Sequence, residues 1–366
     1  MQQTRIWRHF DIWLLTAVAM LTIAGVAMIR SAIGGNVNLA GLVLRQAIYA
    51  VIGLAVVLIA AAIDYRIWSA LSRPLYLFTL AMLGFIMLSG FVGFGSARWF
   101  NVGIVLIQPS ELAKIFVILI LADYLASNEH HMHELKTVFR SLILIGLPAF
   151  FVFLQPDLST AIVFGVIWLA LVWAAGIRFK HLAVLAGTAL ASPLLAWPLL
   201  QPYQKSRVIT FLFPNPEAQY GEAYNVNQAL ISIGSGGWTG QGYGHGTQVQ
   251  LRFLKVRHTD FIFSAMSEEF GFVGAVIFIA LLTIIILRCL RVARMARDTY
   301  GALICYGVAI LIFFQGAFNI GMNLNLFPVS GLPLPFFSYG GSSLLATLLG
   351  IGLVESVALR HKRIEL

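Results

Sequence analysis

Residues 266–288 read MSEEFGFVGAVIFIALLTIIILR, and from Phe270 to Leu287 they run for eighteen residues without one ionisable side chain. As a helix that run rises about 27 Å, close to the ~30 Å hydrocarbon core of a bilayer, so it reads as a membrane span. Working outward, apolar stretches of similar length recur at 11–30, 44–63, 74–93, 111–127, 139–154, 159–176, 181–200, 300–322 and 338–358. The pattern predicts an all-α polytopic membrane protein with ten transmembrane helices and one large extracytoplasmic loop between helices 7 and 8. Pro148, Pro193 and Pro198 fall inside predicted spans and predict kinks there.

Composition agrees. Of 366 residues 59% are hydrophobic and 11% charged, against about 25% charged in a soluble protein, too few to coat a globular surface in water. The net charge of +9 comes from 24 Lys and Arg scattered between apolar blocks, so no basic face points to nucleic acid. Cys289 and Cys305 are too few for a disulfide framework. The run at Ile12–Ile29 follows Arg5 and Arg8 but is too long for a cleaved signal core, and is expected to be an uncleaved first span.

Orientation follows from the basic residues. With the N-terminus in the cytoplasm, fifteen of the 24 fall on the inner side, Arg66, Arg140, Arg288, Arg291, Arg294, Arg297 and Arg360 among them. Five of the remaining nine sit in one long loop, which translocates largely regardless of charge. Both termini are therefore expected to be cytoplasmic.

The chain is expected to form a single integral membrane domain over 1–366, with 201–265 as an outer loop. Tyr203, Phe211, Phe213, Tyr220, Tyr224, Trp238, Tyr243 and Phe253 make this loop too aromatic for a solvated linker, so it is expected to pack on the helix bundle. Its 234–246 segment, GSGGWTGQGYGHG, has neither the Lys-Ser/Thr nor the βαβ context of a nucleotide loop. It reads as a tight glycine turn or as backbone amides lining a diphosphate site.

Charges that converge on the outer side are the candidate chemistry: Arg98, Glu111, Lys114, Asp157, Lys205, Arg207, Arg257 and Asp260. Ionisable groups beside hydrocarbon are costly and usually line a cavity or substrate path. Glu111 and Lys114 share a helix face and either pair or present an ammonium to a lipid phosphate. Asp157 reads as a helix cap or a site residue. Glu268 and Glu269 follow Ser267 in the pattern of a capped first turn. Asp123 and Glu355 suit structural pairs at inner helix ends, and His130, His131 and His133 a solvated loop.

Asp260 stands apart. In Arg257-His258-Thr259-Asp260-Phe261-Ile262-Phe263 a carboxylate lies between basic residues and an apolar run. Partial burial raises its pKa while nearby cations lower it, the balance a general base near neutral pH requires; the simpler alternative is an ion pair with Arg257.

Taken in order, Arg98-Trp99-Phe100, QPSELAK at 108–114, QPDLST at 155–160, YQKSRV at 203–208, ISIGSGGWTGQGYGHGTQ at 231–248, RHTDFIFSAMSEEFG at 257–271 and PFFSYGGSS at 335–343 resemble the SEDS family (shape, elongation, division and sporulation). HGTQVQLRFL is more similar to the elongation branch than to the division branch. Ser159, Lys255-Val256 and Asn325 depart from the usual family residues, and none of these replaces a charged motif position.

The resemblance implies a bacterial cytoplasmic-membrane peptidoglycan glycosyltransferase for cell elongation and rod shape, polymerising lipid II at the outer face with inversion from an undecaprenyl-diphosphate donor. It implies Asp260 as the catalytic base, with Arg98, Glu111, Lys114, Asp157, Lys205 and Arg207 as substrate-binding residues. A divalent cation, Mg or Mn, is implied with unknown ligands, and no organic cofactor. The implied partners are a class B penicillin-binding protein, the lipid II substrate and other elongation-complex membrane proteins, with no nucleic acid. The competing class is a flippase of lipid-linked precursors, which would carry polar groups through the midplane, whereas these charges gather on one side.

Overall fold

The computed structural model describes residues 7–34, 39–89, 91–93, 96–101, 106–178, 180–181, 183–185, 187, 197–213 and 220–361. Helices dominate. In chain order they are α1 (Ile12–Ile33), α2 (Ala40–Ala62), α3 (Arg66–Ala70), α4 (Ser72–Ser89), α5 (Pro109–Ser127), α6 (Leu135–Leu154), α7 (Leu158–Ala174), α8 (Pro202–Leu212), α9 (Gly221–Gly236), α10 (Thr247–Gln250), α11 (Ile262–Met295), α12 (Thr299–Asn323) and α13 (Gly341–Leu359). Among the described residues six are long and apolar enough to cross a membrane: α1, α2 from Gly41, α6, α11, α12 and α13. α4 and α7 are shorter apolar helices, and α5 carries Glu111, Lys114 and Asp123 in its otherwise apolar length. Each predicted stretch holds one of these helices except 181–200, most of which lies outside the described residues.

The sequence reading did not anticipate strands. β1 (Phe91–Gly93), β2 (Ser96–Asn101) and β3 (Leu106–Ile107) form a three-stranded antiparallel ribbon between α4 and α5, which adds a small sheet to the expected all-α fold. Phe100 of β2 stacks on Phe85 of α4 at 5.6 Å, tying the ribbon to the bundle.

α13 is the central helix, buried along nearly its whole length and packed against α2, α5, α11 and α12. At one end of the bundle, polar side chains lock helix termini together. Arg288 of α11 grips Asp11 with two nitrogens, at 2.6 and 2.8 Å, and the Asp11 amide donates to Glu355 of α13 at 3.0 Å. Nearby, Tyr65 donates to Asp298, the cap of α12, and Ser69 donates to Asp123. Asp123 and Glu355 thus hold helix ends, in fixed geometry that replaces the water these groups would otherwise need.

Among the described residues the one break in helical geometry inside a helix lies at a glycine. α6 runs unbroken through Pro148, Pro198 falls in a short turn, and Pro193 lies outside the described residues. The break is in α11 at Gly271, with φ 64° and ψ −163°. A kink strands amides and carbonyls, costly beside hydrocarbon, and here the glycine-rich segment satisfies them. Gln241 and Gly242 amides donate to the Glu268 and Glu269 carbonyls at 3.0 and 2.9 Å. In return, the Phe272 and Val273 amides donate to the Gly237 and Trp238 carbonyls at 2.9 and 3.1 Å.

Glu268 and Glu269 are corrected by the same packing. α11 begins at Ile262, ahead of Ser267, and both carboxylates are fully buried. Glu268 accepts from the Gln248 amide at 2.8 Å, the Val249 amide at 3.3 Å and the Thr247 hydroxyl at 3.2 Å, so it caps α10 from outside. Glu269 accepts from Ser31 of α1. The end of α1 meets the same segment, because its terminal carbonyls need donors: Tyr243 donates to Ala27, Gln250 to Ser31 and Arg257 to Ala32.

Candidate active site

The turn that carries Asp260 is fixed by its backbone. The Asp260 carbonyl accepts from Asn319 and Asn323 of α12, at 3.2 and 3.0 Å. Asn323 in turn accepts from the Ser264 amide and hydroxyl at 3.1 and 2.6 Å. From the 335–343 segment, Ser338 donates to the Thr259 carbonyl at 2.7 Å and the Tyr339 amide to the His258 carbonyl at 2.9 Å. Backbone, turn and α12 therefore hold the residue while its carboxylate takes no part in the scaffold. Among the described residues that carboxylate has neither an ion pair nor a hydrogen bond.

The ion pair with Arg257 does not form. The Arg257 guanidinium is buried against the carbonyls of Ala32 and Leu254, and desolvation, aided by the Arg252 charge, lowers its pKa. Asp260 is half-buried, so its carboxylate is desolvated yet still reached by solvent. Desolvation pushes its pKa up to about 6, Arg207 pulls against that, and Glu222 adds to it.

A cleft lies between α8, α9 and the 325–329 turn, lined by Arg207, Thr210, Glu222, Val226, Asn325 and Phe327 and enclosing about 350 Å3 with its open mouth. Arg207 Nε donates to Glu222 Oε1 at 2.8 Å, its Nη1 to the Ser330 carbonyl at 3.4 Å, and its guanidinium lies 5.5 Å from the Tyr203 ring. Ser159 of α7 donates to the same Ser330 carbonyl at 2.7 Å, so a position that departs from the usual family residue joins α7 to the Arg207 site. Tyr203 donates to the Pro156 carbonyl, a second tie between α8 and the QPDL segment.

Asp157 caps α7, accepting from the Thr160 amide and hydroxyl at 3.1 and 3.0 Å. Gln108 reaches it at 3.4 Å, which joins the two Gln-Pro segments in space. Glu111 and Lys114 make an ion pair at 2.7 Å on α5, with side chains 5% and 1% exposed. Such a pair is expensive to break from one side, since the remaining charge stays desolvated. Lys114→Ala is therefore expected to destabilise the protein by about 3 kcal/mol, and Lys114→Met combined with Glu111→Gln by less. Thermal unfolding in detergent compares them, and equal melting of the single variant and the parent would contradict it.

Lys205 sits half-exposed on α8. Arg98 lies on β2, and its side chain is outside the described residues. The sequence reading missed Glu222, Asn319, Asn323, Ser330 and Ser338. The Asn pair had a signal: two amides four residues apart on an apolar helix share a face and need partners. The glycine-rich segment makes no diphosphate cradle of its Gln241 and Gly242 amides, which are committed to the α11 kink.

A family profile described as "Cell cycle protein", which groups FtsW, RodA and SpoVE, matches residues 8–363. The chain belongs to this family. It is 35% identical over 358 residues to the peptidoglycan glycosyltransferase MrdB of Escherichia coli K12, covering 98% of this chain and 95% of that one. It is 33% identical to the probable peptidoglycan glycosyltransferase FtsW of Geobacter metallireducens, covering 97% and 96%. Among solved structures, a peptidoglycan synthase complex that coordinates polymerization and crosslinking aligns with TM-score 0.81 and 30% identity, over 96% of this chain and 98% of that one. The rod shape determining protein RodA of Thermus thermophilus aligns with TM-score 0.71 and 30% identity, over 95% and 96%. As a SEDS protein the chain is an integral membrane protein.

The donors at the cleft do not form a protein-only cage for a divalent ion. Among the described residues no three His, Cys, Asp or Glu side chains gather, and the carboxylate that lines the cleft, Glu222, is bonded to an arginine.

Proposed function

We infer that this protein is a peptidoglycan glycosyltransferase that polymerises lipid II into glycan strands for cell elongation. The observation that carries the reading is Asp260, a half-buried carboxylate free of scaffold duty, held by its backbone within the electrostatic reach of Arg207. A muramyl sugar already joined to a diphosphate needs no acid to release its leaving group; a base and cations suffice. Asp260 takes the proton of the acceptor 4-hydroxyl as that oxygen attacks the anomeric carbon of the donor. The C1–O bond to the diphosphate breaks with inversion, and the undecaprenyl diphosphate leaves with the bonding pair.

Arg207 meets the charge that grows on the departing diphosphate. Lys205 and Arg98 are further cations of that site, and Lys114 joins them only after its buried pair with Glu111 opens. Asp157 serves by capping α7 beside the site. A divalent cation, Mg or Mn, would add to the positive charge that Arg207 offers the diphosphate. The partner is a class B penicillin-binding protein, supported by the likeness to the synthase complex, and other elongation-complex membrane proteins join it.

Ten spans, with both termini cytoplasmic and 201–265 outside the bacterial cytoplasmic membrane, agree with the distribution of Lys and Arg. Tyr220 is 78% exposed, so Tyr220→Cys is expected to react with an impermeant thiol reagent in intact spheroplasts. Reaction only after permeabilisation would invert the topology.

A further inference from the structure

Glu222 lies in the first turn of α9, where an acid ordinarily serves the helix N-terminus. It does not stay there. Its Oε1 turns to α8 and accepts from Arg207 Nε at 2.8 Å, and its Oε2 is buried without a hydrogen-bond partner among the described residues. Arg207 spends Nε on Glu222 and Nη1 on the Ser330 carbonyl. The rigid fork of the guanidinium then leaves Nη2 as the donor edge for a substrate oxygen. Glu222 and Arg207 both line the cleft, their charges act on Asp260 in opposite senses, and Asn319 ties the Asp260 carbonyl to that of Leu332, two residues from the Ser330 carbonyl that Arg207 bonds.

The charged groups that act on Asp260 are few. Among the described residues Arg207 acts on it from α8, lowering its pKa, and Glu222 from α9, raising it. α12 presents the uncharged Asn319 and Asn323, and the 335–343 segment presents Ser338 and backbone. On its own turn, Arg257 is directed to Ala32, and burial, with the Arg257 charge, lowers the His258 pKa.

We propose that Glu222 is a positioning residue of the polymerisation site, which orients the Arg207 guanidinium and supplies the negative charge that balances it beside Asp260. The proposal rests on the reading of Asp260 as base. The Glu222 anion keeps Asp260 more basic than Arg207 alone would leave it. Removing that charge while keeping the contact leaves Arg207 unopposed, so the Asp260 pKa falls.

The test is the pH dependence of lipid II polymerisation by the complex with its penicillin-binding protein. Glu222→Gln retains an oxygen that accepts from Arg207, so the complex is expected to elute and melt as the parent does. The acid limb of its pH–rate profile is expected to move down by roughly half a unit to one unit, with a severalfold lower plateau. Glu222→Asp, which restores the charge, is expected to return the limb to the parental position. Arg207→Gln is expected to move it upward, which keeps the test decisive if Glu222→Gln does not fold. A limb unmoved in Glu222→Gln, whether the rate is unchanged or lowered equally at every pH, overturns the proposal, as does an unmoved limb in Arg207→Gln. Failure of the underlying reading looks different: the parental enzyme itself then shows no acid limb near pH 6.

Discussion

Asp260→Asn is expected to lower lipid II polymerisation by a factor on the order of 100 to 10,000, the range usual for loss of a general base. The substitution is nearly isosteric, and every contact that holds the turn goes to backbone or to other side chains: Asn319 and Asn323 to the Asp260 carbonyl, Ser338 to Thr259, Tyr339 to His258. No bond of the carboxylate is lost, so folding and melting are expected to match the parent. The parental pH profile follows from the same group. Only the carboxylate form accepts a proton, and its pKa is pushed up to about 6, so activity is expected to rise through pH 6 and level off above it. Initial rates of strand formation from labelled lipid II, between pH 5 and 8, measure both effects. A folded Asp260→Asn protein that polymerises at the parental rate would remove Asp260 as the base.

Gly240→Val is expected to destabilise the protein by roughly 4 to 6 kcal/mol, summing backbone strain, overpacking and lost hydrogen bonds. Gly240 has φ 80°, and a Cβ there would lie well inside contact distance of the Glu269 carbonyl and the Phe270 amide. On either side the chain is clamped to the α11 kink by Gln241, Gly242, Phe272 and Val273, so it cannot retreat without stranding those groups. Release of the segment also frees the backbone that leads to Asp260, and activity is expected to fall with stability. Thermal unfolding in detergent and limited proteolysis within 201–265 report the change. Parental melting with unchanged protease resistance would show that the clamp is dispensable.

The helices were legible because hydrocarbon demands long uncharged runs, and the stretches at 11–30, 300–322 and 338–358 hold α1, α12 and α13. Asp260 stood out in the sequence because a carboxylate beside an apolar run is costly and local. What local sequence hides is the partner of each polar group. Arg257, three residues from Asp260, spends its charge on the end of α1, a choice set by chain segments over two hundred residues apart. Glu268 and Glu269 resemble a first turn, yet they serve as buried acceptors for segments that must pack at the kink. The break at Gly271 was not anticipated, because a glycine within an apolar run gives no local sign that its φ will be positive. Glu222 passes on its own for a helix-start acid, and only its approach to Arg207 marks it.

The most direct measurement is gel analysis of the purified protein, in complex with its class B penicillin-binding protein, after incubation with labelled lipid II and a β-lactam that blocks crosslinking. A ladder of linear glycan strands, formed by the parental protein and absent with Asp260→Asn, is the predicted result. A folded complex that leaves lipid II monomeric, yet moves it between the leaflets of proteoliposomes, would contradict the assignment and make the protein a flippase.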